Sequence, residues 1–452
     1  MNDFTSNSAE WNQLSRTMPD WFENSPFGIF IHWGAYSLPA WAEPIGALGT
    51  IADDREWFTH NPYAEWYYNT IRIDGSPAQQ HQEETFVGGD YDDFLDQWKA
   101  ELFDPTEWVE LFQYAGADYV VPTTKHHDGI ALWDAPGTGE RNTVHRGPRR
   151  DLIREIAESV KAKGLKLGLY YSGGLDWHVR PFPPHVTSES VHDSSRPKDA
   201  EYAEYAYNHV IDLVDKYQPH ILWNDIEWPD AGKHFGEHGL GRLFQHFYST
   251  NPEGIVNDRW GETHKDYATS EYEHFTVNES ETLWENCRGI GFSFGYNQVE
   301  GPEQSLNGQQ IARHLTDVVS RGGHFLLNVG PQADGTIPKI QRQALTDLGH
   351  WMAAAKPFLV GARPLDPAVA PARDSPWIRW VDRGDAVVGF VDSPGEPSHV
   401  VEIPLQAGAL DLARAAVRGP GGSVRTGDLG LIVELTSGRP GPVIVHIPRA
   451  QS

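Results

Sequence analysis

Short apolar runs alternate with amphipathic helical segments through most of this chain, and no other feature restricts its fold as much. FGIFIHW (27–33), ADYVVPTT (117–124), LKLGLYYS (165–172) and HILWNDI (220–226) read as strands buried on both faces. GIVNDRW (254–260), DYATSEY (266–272), GFSFGYN (291–297) and GHFLLNVG (323–330) continue the set with weaker hydrophobicity. Helix signatures stand between them. DPTEWVELFQYAGA offers Asp104 as N-cap, Pro105 at the first helical position and Glu107 in the first turn. RRDLIREIAESVKAKG carries apolar residues at 152, 153, 156 and 160, lysines in its last turn and a stop at Gly164. AEYAEYAYNHVIDLVDKY and NGQQIARHLTDVVSRGG keep the same period. A repeated strand–helix order makes the sheet parallel. Eight strands over about 330 residues predict an α/β fold, a (β/α)8-like TIM barrel with loop insertions. An open doubly wound sheet is the competitor, but no Gly-rich phosphate fingerprint follows the first strand.

Near residue 357 the helical period stops. WIRWVDRGDAVVGFVD, SHVVEIPL, GDLGLIVELT and GPVIVHIP alternate apolar and polar residues between turn residues, as in a small antiparallel β-sandwich. Two domains are expected, a barrel over 1–356 and a sandwich over 357–452. Residues 181–200, PFPPHVTSESVHDSSRPKDA, form a Pro/Ser/His-rich loop after the third strand.

The formal net charge of -27 argues against nucleic acid or an anionic membrane surface as the main partner. Seventeen tryptophans favour a ligand with apolar faces to stack on, such as a sugar, although most of them belong in a core. Cys287 is the single cysteine, so no disulfide forms within the chain, and a buried structural thiol is expected. The N-terminal stretch has neither a basic n-region nor an apolar h-region, and no run reaches the ~18 apolar residues of a membrane span. A cytoplasmic protein is the expectation, and a homo-oligomer is left open.

In a (β/α)8 barrel the reacting groups come from the C-terminal ends of the strands. Each predicted strand here ends in chemistry. The ends read His32-Trp33-Gly34, Lys125-His126-His127-Asp128, Tyr171-Ser172 with Asp176-Trp177-His178 beyond, and Asn224-Asp225. Asn257-Asp258-Arg259-Trp260, Glu271, Tyr296-Asn297 and Asn328 complete the rim. One such residue is usually a turn or a cap; the whole set together is a site. No metal or other cofactor is expected. Adjacent His126 and His127 would point to opposite faces of a strand, and no H-E-x-x-H or cysteine cluster is present. No G-x-S-x-G elbow supplies a serine nucleophile. Two carboxylates flanking a sugar, with Trp platforms and His/Arg groups for hydroxyls, remain as the layout of glycoside hydrolysis.

The segments FGIFIHWGAYSLPAW, AEWYYN, FDPTEWVELFQYAGADYVVPTTKHHDGIALWDA, LKLGLYYSGGLDWH, LWNDIEWP and GGHFLLNVGPQADGTIP resemble, in order, the α-L-fucosidases of glycoside hydrolase family 29. The resemblance spans about residues 20–356 and implies a retaining, exo-acting hydrolase of terminal α-L-fucosyl residues on fucosylated oligosaccharides or glycosides. It implies Asp225 as nucleophile and points to Glu271, in YATSEYE, as acid/base. Glu227, Glu273, Glu279, Glu281 and Glu285 are the nearby alternatives for that second role. The family's fucose-binding groups match His32, Glu65, Trp66, His126, His127, Tyr171, Trp223 and Arg259. Trp223 and Trp228 are expected to exclude water and hold the apolar side of the sugar. The segment between the first strand and AEWYY is longer than the family pattern and, with the 181–200 loop, is free to shape the leaving-group side. The alternatives are a related glycosidase for another fucose-like sugar and a non-catalytic carbohydrate-binding relative.

Overall fold

The computed structural model describes residues 9–272, 283–393, 399–405 and 409–450. Eight parallel strands form one curled sheet: β1 (Phe27–Ile31), β2 (Tyr119–Lys125), β3 (Lys166–Ser172), β4 (Ile221–Asp225), β5 (Ile255–Val256), β6 (Ala268–Glu271), β7 (Trp284–Gly289) and β8 (Gly323–Val329). Their order is β5-β4-β3-β2-β1-β8-β7-β6. Bonds across the barrel show that the sheet curls on itself: Tyr119 on β2 and Trp223 on β4 both donate to Glu285 on β7. The seam between β5 and β6 is bridged by Asp266 N donating to Val256 O (2.9 Å) and Val256 N donating to Asp266 Oδ2 (2.8 Å).

Strand parity divides the core. Ile29, Val120, Leu169 and Leu222 face the surrounding helices, while Phe30, Val121, Tyr170, Ile221 and Trp223 fill the barrel. The interior is tight at Gly28, where a Cβ would lie 2.3 Å from the Tyr119 ring. Four outer helices begin on side-chain caps that satisfy otherwise unpaired N–H groups. These are Asp104, Asp151, Asp199 and Asn307, the last in a capping box with Gln310. No helix joins β5 to β6, and the described residues between β6 and β7 contain none. No helix of the described residues is long and apolar enough to cross a membrane.

The seventh strand is not GFSFGYN but WENCRG, Trp284–Gly289. Buried Glu285, Asn286 and Arg288 hide it from a hydrophobicity reading, because their polar groups are met inside the fold rather than by water. GFSFGYN is instead the loop after β7. Its backbone is held by Glu300, whose Oε1 accepts from Phe292 N (2.9 Å) and Ser293 N (2.8 Å).

Helix Lys339–Leu359 carries the chain into the C-terminal sandwich. One antiparallel sheet there includes the hairpin Trp377–Asp382/Ala386–Asp392, and the other pairs His399–Pro404, Gly430–Leu435 and Gly422–Gly427. The sandwich packs on helix Gly308–Ser320 through Arg379–Asp317 and Arg313–Asp392 pairs.

Parallel pairing places the strand ends at one rim. Ser172 is level with Asp225, Glu271 with Cys287, and Ile31 with Val329. Below the turn after β2, Lys125 Nζ donates to Asp176 Oδ2 (3.0 Å), and Asp176 Oδ1 accepts from His178 N (3.1 Å) and Val179 N (2.9 Å). Gly129 passes over this anchored carboxylate with φ +74°, and a Cβ would come 2.4 Å from its Oδ1. Gly129→Ala should therefore cost roughly 1–3 kcal/mol, read as a lowered melting temperature. Unchanged melting would show that Asp176 yields.

Candidate active site

A cavity of about 170 Å³ opens at this rim. Its wall includes His32, Glu65, Trp66, His126, His127, Trp223, Asp225, Arg259 and Glu271, nine of the ten residues named from the sequence. Tyr171 is the exception. It faces outward from β3, and its hydroxyl donates to His209 Nδ1 at 3.1 Å on the helix outside. Tyr170 occupies the pocket in its place. Period two in LKLGLYYS, with Leu167 and Leu169 on the helix side, was the signal for this parity. Trp228 is likewise displaced: it is fully buried outside the pocket, 5.3 Å from Trp260.

Asp225 ends β4 and is the most heavily coordinated side chain of the site. Oδ1 accepts from Arg259 Nη1 (2.7 Å) and Ile226 N (2.8 Å), and Oδ2 accepts from Tyr170 Oη (2.8 Å). Burial works to raise its pKa, but the Arg259 guanidinium and the Tyr170 hydroxyl outweigh burial and hold the carboxyl below its ordinary range. The next residue, Ile226, has φ +66°, and Glu227 N donates to Asp225 O across it at 2.9 Å. A β-branched residue in this region is strained, and such strain persists where the surroundings enforce it. Glu227 itself turns away to Lys233 at 3.1 Å.

Arg259 joins the two carboxylates. Its Nη2 lies 3.0 Å from Glu271 Oε2, and its guanidinium lies 4.7 Å over the Trp223 ring. Burial disfavours the cation, but Glu271 and Asp225 on either side keep it protonated. Of the other acids considered for the second role, Glu285 is fully buried beneath the pocket, and Glu273, Glu279 and Glu281 lie outside the described residues.

The histidines present acceptors. Asn328 Nδ2 donates to Phe294 O (2.6 Å), which leaves Oδ1 to accept from His32 Nδ1–H (2.7 Å). Burial lowers His32 to about 4, so its Nε2 is a free lone pair. Ser172 Oγ donates to Leu175 O (2.8 Å) and accepts from His127 Nδ1–H (2.6 Å). Burial keeps His127 neutral as well, so Nε2 and Asp225 Oδ2, 3.7 Å apart, stand as two neighbouring acceptors. His126 joins His127 in the pocket, ring centroids 4.0 Å apart, because β2 ends at Lys125 and strand alternation ends with it. Glu65 Oε2 accepts from Gly295 N (2.7 Å) and Ser293 Oγ (3.1 Å), and burial raises it to about 7. A cavity lined by such acceptors selects a ligand rich in hydroxyl donors. Trp66, Trp223, Phe30 and Phe294 supply apolar faces beside them.

The sequence reading did not single out several other wall residues. Leu48, Trp57 and Phe58 come from the long segment after β1, and Ser188, Val191 and His192 from the 181–200 loop. Asp54 ties the two together by accepting from Ser188 N and Oγ, both at 2.8 Å. Cys287 is buried, as expected, yet it also lines the pocket. Among the described residues no group of three His, Cys, Asp or Glu side chains is placed to hold a metal ion.

Buried and half-buried histidines and glutamates set opposite pH limits on stability. His32, His185, His220 and His324 are lowered from 6.5 to about 4 and His209 to about 3, mainly by burial. The unfolded chain then binds more protons than the folded one as pH falls below 6.5, so stability declines from about 6.5 towards 4. Burial raises Glu65 and Glu285 from 4.5 to about 7 and Glu300 to about 8. The folded state holds those protons longer, so their contribution declines as pH rises from about 4.5 to 8. The histidines outnumber the glutamates below 6.5. Melting temperature should therefore peak near pH 6.5, and a monotonic profile from pH 4 to 8 would contradict this balance.

A sequence model of the family described as Alpha-L-fucosidase matches residues 2–356. The alpha-L-fucosidase of Dictyostelium discoideum is 32% identical over 363 residues, covering 78% of this chain and 74% of that protein. A solved Thermotoga maritima alpha-fucosidase in complex with a mechanism-based inhibitor is similar with a TM-score of 0.82 at 39% identity, covering 99% of both chains. A fucose complex of the Thermotoga maritima alpha-fucosidase gives a TM-score of 0.81 at 40% identity, covering 95% of this chain and 97% of that one.

Proposed function

The chain belongs to the alpha-L-fucosidase family, and from that premise we propose that Asp225 is its nucleophile and Glu271 its acid/base. The activity is retaining, exo-acting hydrolysis of terminal α-L-fucosyl residues. The observation that carries the assignment is Arg259, one guanidinium bonded to a carboxylate at the end of β4 and to another at the end of β6. Retaining glycosidases need two carboxyl groups close together, one on each side of the scissile bond, and contact with one guanidinium supports reading these two as that pair.

Asp225 enters ionised, held so by Arg259 and Tyr170, and attacks C1 to form a glycosyl-enzyme ester. Glu271 must take up a proton before the first step; it gives that proton to the departing oxygen, then, as a carboxylate paired to Arg259, takes one from the incoming water as the ester is cleaved. His32 Nε2 and His127 Nε2 accept from ring hydroxyls, and Glu65 and His126 complete the polar wall. A sugar of the wrong configuration leaves these buried groups unpaired, which is costly enough to reject it. Trp66, Phe294 and Trp223 cover the apolar side of the ring. The substrate is a fucosylated oligosaccharide or glycoside whose terminal ring alone enters the cavity.

The test is hydrolysis of 4-nitrophenyl α-L-fucoside beside the β-D-galactoside, α-L-arabinoside and β-D-fucoside, with the anomer first released followed by NMR. Turnover of the α-L-fucoside with α-L-fucose as first product is expected. Preference for another glycoside in the panel would redirect the assignment to that sugar.

A further inference from the structure

Glu285 is buried beneath the pocket and does not line it. Both of its oxygens are engaged. Trp223 Nε1–H donates to Oε1 at 2.9 Å, and Tyr119 Oη–H donates to Oε2 at 2.6 Å. Trp223 also lies between Phe30 (ring centroids 4.9 Å) and Tyr170 (5.6 Å), so packing confines the ring and the N–H bond chooses its rotation. Its face carries the Arg259 guanidinium at 4.7 Å. Arg259 in turn grips Asp225 at 2.7 Å and Glu271 at 3.0 Å. An unbroken line of contacts therefore runs from the barrel interior to both carboxylates. A carboxyl group in a dry core is costly, and an apolar side chain would fill the same space without that cost.

We propose that Glu285 is a positioning residue of the hydrolysis. By capturing the Trp223 N–H it sets the indole face on which Arg259 lies, and thereby the guanidinium that holds Asp225 and Glu271. The inference rests on the roles given to those two carboxylates above. Protonated or not, Glu285 offers Trp223 an acceptor, and Tyr119 can accept as well as donate. A glutamine reproduces this pattern; a leucine cannot.

The experiment compares Glu285→Leu, Glu285→Gln, Trp223→Phe and the Trp223→Phe/Glu285→Gln double variant on 4-nitrophenyl α-L-fucoside, each checked by circular dichroism. Glu285→Leu should lose about 10²-fold in kcat with KM within about threefold, and Glu285→Gln should recover all but about fivefold of it. In the Trp223→Phe background the glutamine should add nothing, because the bond it serves is already gone. A folded Glu285→Leu enzyme with wild-type kcat overturns the proposal. So does a glutamine variant as inactive as the leucine one, or additive losses in the double variant should the leucine variant not fold. Azide rescue separates the two readings. Rescue of Glu271→Ala but of no Glu285 variant leaves the acid/base in place. Rescue of a Glu285 variant instead makes Glu285 the acid/base and overturns both.

Discussion

Replacing Asp225 by alanine is expected to lower kcat on 4-nitrophenyl α-L-fucoside by about 10³–10⁵-fold while the protein stays folded. The loss is large because, among the described residues, Glu65 and Glu271 are the other carboxylates lining the cavity, neither shares the β4 end with Asp225, and buried Glu285 does not line it. The fold should survive because Asp225 sits at the rim rather than in a core layer. Its removal leaves Arg259 still paired to Glu271, and Tyr170 still stacked between His126 and Trp223. Azide makes the result specific. In the space vacated by Asp225 it attacks the substrate directly, and the product is the inverted β-L-fucosyl azide. Near-wild-type turnover of a folded Asp225→Ala enzyme would end the assignment.

Glu271→Ala should give a different signature, one that depends on the leaving group. An aglycone that departs without protonation, such as 2,4-dinitrophenolate, should lose little in kcat/KM, since its departure needs no proton. A fucosyl disaccharide should lose about 10²–10⁴-fold, the usual contribution of a positioned general acid. The glycosyl-enzyme still forms on Asp225, so azide opens it with a second inversion and gives the α-L-fucosyl azide. The anomer of the azide thus tells the two carboxylates apart. An equal loss across all leaving groups would show that Glu271 acts only as a partner of Arg259.

Much of this was legible in the chain. Strong apolar runs such as FGIFIHW and LKLGLYYS became β1 and β3 because both faces of a parallel barrel strand are buried, and such strands carry their own label. Asp104 capped its helix as read, since capping is a contact across three residues. Polar residues at strand ends converged because the barrel brings those ends to one rim. Asp225, His32 and Arg259 were therefore readable as a group, although nothing in the spacing gave their distances.

Where tertiary contacts replaced local pattern, the reading moved. WENCRG did not look like a strand, because Glu285 and Asn286 are satisfied by Tyr119, Trp223, Ser270 and His314, partners distant in sequence. Tyr171 shares the parity of Leu167 and Leu169, and packing in the sheet turns that face of β3 to the helices and Tyr170 into the barrel. His126 and His127 share a wall because β2 stops one residue before them. By itself the sequence determined the barrel, its site-bearing rim and the kinds of group found there, since these follow from periodicity and residue chemistry. Only the tertiary structure decided that one arginine stands between two carboxylates, that His32 and His127 line the cavity with their Nδ1 atoms already bonded, and that a buried glutamate lies beneath them. Those are relations between strands, and no single segment contains them.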